Sequence, residues 1–216
     1  MSDAQIRQDI LDELDFEPSV NAAHIGVAAD NGVVTLTGHV TNYAEKCAAE
    51  RATQRVKGVR AIAQEIEVRY PSDKKSPDDE IAARALNVLR WSAMVPTEKV
   101  QVKVQNGWVT LTGDVDWQFQ RISAESGLRK LSGVVGVVND IALNARAQPQ
   151  DIKRKIEDAL KRSAEIEAEG IRVLVLADGK VALDGKVHDL RERYAAENAA
   201  WAAPDVISVE NHLVIA

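Results

Sequence analysis

A Gly-x-Val-x-Leu-x-Gly-x-Val motif occurs three times in this chain, over residues 32–40, 107–115 and 179–187. A repeat with a period of this kind makes the chain an array of one unit, and it sorts the residues at once. What recurs in every copy belongs to the fold. What stands in one copy alone is a candidate for function. Aligned on the motif, the modules cover residues 1–70, 78–146 and 149–216. Each is near the lower end of self-supporting size, so the modules are expected to lean on one another. The first joint, Pro71 to Pro77, has no apolar residue between its prolines and reads as a linker; the second, at Ala147-Gln148-Pro149, is shorter.

Within a module the elements follow from periodicity. Ile6, Ile10 and Leu14 recur as Ile81, Ala85 and Leu89 and as Ile152, Ile156 and Leu160, a four-residue spacing that puts each trio on one helix face. Asp3 and Asp78 precede the first two trios and suit a helix N-terminus, where a carboxylate caps free amides and opposes the dipole. Residues 100–104 alternate as a strand and run into Asn106-Gly107, with Asn31-Gly32 and Asp178-Gly179 at the same place in the other copies. These dipeptides favour the positive backbone angles of a tight hairpin, so Gly32, Gly107 and Gly179 are read as turn residues and not as a phosphate loop.

The second hairpin strand carries its apolar face on alternate residues, and Gly38, Gly113 and Gly185 fall on that face. A glycine inside a strand marks close approach of another backbone, here expected to be a helix. A second helix is predicted over 43–56, 117–131 and 190–203, and a last strand over 62–68, 137–143 and 207–215. Between them Gly58 and Gly133 mark a small-residue turn, where the third copy has Asp205. The expected fold class is α+β: each module runs helix, strand, strand, helix, strand. A right-handed crossover should put both helices on one face of a three-stranded mixed sheet.

These features together resemble the BON domain, the family named for bacterial osmotic-stress and nodulation proteins. The hairpin motif, the later Gly58 or Gly133 before an apolar pair, and the ending Val138-Asn139-Asp140-Ile141 carry the resemblance, and three copies cover nearly the whole chain. It implies a non-enzymatic binding module of envelope or stress proteins, associating with phospholipid membranes or other envelope components. Many members of the family are exported. Here residues 1–16 are acidic and amphipathic, without the basic and apolar stretches of a leader, so the expected compartment is the cytoplasm.

Charge and composition narrow the partners. The net charge is -6, and no module is basic: residues 3–70 hold 7 basic and 11 acidic groups, 78–146 hold 8 and 8, and 151–216 hold 10 and 13. A nucleic-acid partner is therefore not expected, since phosphate binding needs a cationic footprint. Lys153, Arg154, Lys155, Lys161 and Arg162 share one predicted helix but alternate with Glu157 and Asp158, as a solvated face does. No apolar run reaches the roughly 20 residues of a membrane span.

No catalytic or cofactor-binding set emerges. His24, His39, His188 and His212 fall at different module positions, and Cys47 has no recurrent histidine partner. Neither a metal nor a cofactor is expected. The asymmetry is aromatic: of four tryptophans, Trp91, Trp108 and Trp117 belong to the middle module, where the first has Phe16, Val33 and Asn42. Tryptophan buries a large area with few torsions, so these three are the candidate interface residues. Trp108, on the polar face of its strand, is expected either to pack on a neighbouring module or to meet an outside partner or lipid. The leading function is peripheral binding to a phospholipid surface or envelope partner under stress. A protein–protein adaptor or self-associating scaffold is the alternative, and small-ion sensing a weaker one.

Overall fold

The computed structural model describes residues 1–71, 76–144, 152–163, 166, 170–176 and 179–215. Asp178 of the third turn, the middle of the first linker and the joint at 147–149 lie outside them. The first module runs α1 (Asp3–Phe16), β1 (Ile25–Asp30), β2 (Val33–Val40), α2 (Tyr43–Arg55) and β3 (Ala61–Val68). The second runs α3 (Asp78–Trp91), β4 (Val100–Gln105), β5 (Trp108–Val115), α4 (Gln118–Leu128) and β6 (Gly136–Leu143). The third runs α5 (Ile152–Arg162), β7 (Ile171–Val175), β8 (Lys180–Val187), α6 (Leu190–Trp201) and β9 (Ser208–Ile215).

Each sheet has the hairpin's second strand at its centre, in the orders β1-β2-β3, β4-β5-β6 and β7-β8-β9. β1 pairs antiparallel with β2 and β3 pairs parallel with it, because a hairpin joins the first pair and a helix crosses between the second. The third module repeats this pattern. The helix trios lie inward: Ile6, Ile10 and Leu14, then Ile81, Ala85 and Leu89, then Ile152, Ile156 and Leu160 are all buried. They meet the alternate strand residues Val34, Leu36 and Val40 and their counterparts, also buried.

The second helix starts where a side-chain cap allows. Asn42 Oδ1 accepts from Glu45 N at 2.9 Å, while the buried Glu45 carboxylate accepts from the amides of Thr41 at 3.0 Å and Asn21 at 2.9 Å. Asp189 and buried Glu192 repeat the arrangement at α6, with Glu192 N on Asp189 Oδ1 at 2.8 Å. This reciprocal pair satisfies amides that a helix start leaves open. Trp117 and Gln120 stand at these positions in the middle module. Tryptophan has no oxygen with which to cap.

The chain forms two compact units: Met1–Val115 with Phe119–Ala142, and Asp116–Gln118 with Leu143–Ala216. In the first unit, module 1 meets the α4–β6 side of module 2. Tyr70 Oη donates to Val134 O at 2.8 Å, and the Tyr43 hydroxyl meets the Val137 backbone. Burial, joined by the Cys47 thiol at its side, pushes the Tyr43 phenol up to about 12. Burial also pushes the Cys47 thiol up, against the opposing pull of Arg129.

Candidate functional site

The hairpin tips of the first two modules are held from two sides. Asp3 was expected to cap its own helix, but Ser2 does so, its hydroxyl accepting from Gln5 N at 3.3 Å. The Asp3 carboxylate instead accepts from Asn31 N at 3.0 Å and Gly32 N at 3.1 Å, across the module at the turn. Asp78 repeats this on Asn106 N at 2.7 Å and Gly107 N at 2.9 Å. From the other side, the carbonyls of Gly32, Gly107 and Gly179 accept from the amides of Arg60, Val135 and Ile207 at 2.8 to 2.9 Å. The turn amides that a phosphate would need are thus already engaged in modules 1 and 2. The same holds in the cleft of about 590 Å³ lined by Tyr70, Pro77, Asp78, Asn106, Gly107 and Gly133.

The strand glycines Gly38, Gly113 and Gly185 have φ of 109°, 124° and 136°, where only glycine is at ease. The approach is backbone to backbone, and in the first two modules it comes from the short 3-10 helices Ala22–His24 and Thr97–Lys99, not from one of the α-helices. A Cβ at these positions would collide with the carbonyls of His24, Lys99 and Gly170, in the segments leading into β1, β4 and β7. The chain crosses itself at the hairpin base. Gly58 and Gly133 have φ of 89° and 90°, and Asp205 takes 68° at the same place. An aspartate tolerates the left-handed region better than most residues, so this turn needs a backbone angle and not a glycine.

Of the three candidate tryptophans, Trp91 and Trp108 belong to the first unit and Trp117 to the second. Trp91, the last residue of α3, is 88% exposed, and Phe16, at the same place on α1, is 81% exposed. Trp108 is 51% exposed, and its ring lies over Gly136 of the neighbouring strand β6, where any Cβ would strike it. Part of the ring thus packs on its own module, and the rest is open to solvent. Trp117 is 37% exposed and lies in the second unit, beside Trp201 and Val206 around a small pocket. Met94 and Phe119 of the middle module are also more than half exposed.

Phe16 was not among the residues singled out from the sequence. The available signal was its alignment with Trp91: an aromatic residue in both copies, two places after the last buried leucine of the helix. An apolar trio with four-residue spacing ends at Leu14 or Leu89, and a residue two further on projects from the opposite side. Among the described residues no group of three or more His, Cys, Asp or Glu side chains is placed to hold a metal, and no helix is long and apolar enough to cross a membrane.

Three copies of a three-stranded mixed sheet with two helices, bearing glycines at fixed turns, define a tandem α+β module architecture. The chain belongs to the BON domain family, whose model matches residues 2–70, 77–145 and 149–216. It is similar to osmotically-inducible protein Y of Escherichia coli (strain K12), at 31% identity over 150 residues, which span 65% of this chain and 72% of that protein. Two solved structures of CdsD, a structural protein of the type III secretion system of Chlamydia trachomatis, align with it at 13% and 14% identity. They cover 100% and 98% of this chain and 100% and 92% of theirs, with TM-scores of 0.27 and 0.26, too low to bear on the argument.

Proposed function

We propose that this chain is a non-catalytic binding protein that associates peripherally with a phospholipid surface or an envelope component during osmotic or related stress. The observation that carries the reading is the pair of exposed aromatic residues, Phe16 and Trp91, at equivalent helix ends of the first unit. A large ring held in water gains by moving to the boundary between headgroups and acyl chains, and an indole keeps its N–H at the polar side. The stress context is supported by the name of the similar osmotically-inducible protein. With a net charge of -6, long-range attraction to anionic lipid does not drive the contact, so the rings supply the anchoring and basic residues such as those of α5 only modulate it. The reading requires a phospholipid surface within reach, on whichever side of a membrane the chain resides.

Co-sedimentation with zwitterionic and anionic liposomes at low and moderate salt tests it. Binding is expected to survive moderate salt, and the double variant Phe16→Ala, Trp91→Ala is expected to lose about tenfold or more in affinity, a difference of about 1.4 kcal/mol. Both side chains are exposed, so circular dichroism should be unchanged. No sedimentation with any vesicle would refute the lipid reading in favour of a protein partner.

A further inference from the structure

An edge strand presents backbone N–H and C=O groups that have no neighbour in their own sheet, and proteins commonly block that row with a charged side chain. In module 1, Arg7 of α1 donates its Nε to the Val27 carbonyl of the edge strand β1 at 3.0 Å. Helix cations reach the far edge strands too. Lys46 donates to Ile66 O of β3 at 2.7 Å, Arg121 to Asn139 O of β6 at 3.0 Å, and Arg193 to Asn211 O of β9 at 3.2 Å. β4 differs. The residue at the place of Arg7 in the second repeat is Ala82, which has no side-chain donor.

What β4 presents follows from its turn. The two-residue loop Asn106-Gly107 makes Gln105 and Trp108 the hydrogen-bonded closing pair, and alternation then turns the backbone groups of Val104, Val102 and Val100 away from β5. The Val100 N–H is held by the Thr97 carbonyl, so Val100 offers its carbonyl alone. Val102 faces Leu111 as Val27 faces Leu36, so it is the equivalent of the residue that Arg7 covers. One turn along α3 from Ala82, Leu86 is 47% exposed. Residues four apart share a helix flank, so an apolar flank stands over the open edge. Module 1 meets this sheet on its β6 side, at the end opposite β4.

We propose that β4 pairs antiparallel with β4 of a second copy of this chain, about a two-fold axis at Val102. The open groups belong to alternate valines, so valine must face valine for the bonds to form. An axis at Val102 sets Val100 opposite Val104 and Gln101 opposite Lys103. An axis at Lys103 would put two ammonium groups face to face, and one at Gln101 would leave Val104 without a partner. The same axis turns the two Leu86 flanks toward each other over the joined, six-stranded sheet. The contact is small, so the dimer is weak and concentration-dependent.

Analytical ultracentrifugation of the full chain, from low micromolar to near-millimolar concentration, tests this together with amide exchange at both ends of the range. The expected result is a sedimentation coefficient that rises with concentration while the Val102 and Val104 amides slow in exchange. Ala82→Arg should rebuild the contact Arg7 makes in module 1, and Val102→Pro removes an N–H that β5 does not use. Each should raise the dissociation constant by about tenfold or more with the circular dichroism unchanged. A chain that stays monomeric throughout, or a dimer that both variants leave intact, overturns the proposal. So does β4 protection that arises only when a different protein is added.

Discussion

Two kinds of glycine in this chain look alike in sequence and differ in physical demand. Gly113 combines a φ of 124° with a crossing backbone, so a Cβ there meets the Lys99 carbonyl as well as unfavourable torsions. Gly133 has a φ of 90° and its nearest obstacle is the flexible tip of Ile81. Asp205 shows that a side chain can hold the second kind of position. Gly113→Ala is accordingly expected to cost about 2–4 kcal/mol in urea unfolding, and Gly133→Asp only about 1 kcal/mol. Equal losses would mean that torsion alone, and not the collision, sets the cost. The recurrence of these glycines was legible in the sequence, but which of them faces a carbonyl was not, because that depends on where residues 14 earlier return to the hairpin base.

At the scale of the element, each helix–hairpin pair of the first unit is joined by one carboxylate. Asp3 and Asp78 each accept two turn amides, and charge-assisted bonds of this kind are stronger than neutral ones. Replacing either with asparagine keeps the shape but leaves one acceptor for two donors. Asp78→Asn should lower stability by about 1–2 kcal/mol, read as a shift of the urea midpoint at unchanged slope. A similar loss is expected from Asp3→Asn. The third copy has Pro149 where the others have these aspartates. Both aspartates were visible as helix-start residues. Their true partners are 28 and 29 residues away, beyond the reach of local capping rules.

At the scale of the whole molecule, modules 1 and 2 share a unit partly through Tyr43 and Tyr70. The Tyr43 phenol is raised from 10.0 to about 12, so the folded state favours its neutral form. Its contribution is fully present below pH 10 and is lost as pH rises towards 12. Alkaline titration of stability should therefore fall across that window, and Tyr43→Phe should flatten the fall; an unchanged profile would remove Tyr43 from the account. Periodicity and turn chemistry by themselves determined the three modules, their element order and their buried helix trios. These depend on spacings of two and of three to four residues, which the local chain imposes. Only the tertiary structure decided that Asp3 and Asp78 serve the hairpin tips, that Trp108 rests on Gly136, and that Arg7 reaches the edge of β1, which gives Ala82 at the same place in the second copy its meaning. Those outcomes depend on which distant backbones meet, and no local spacing encodes that.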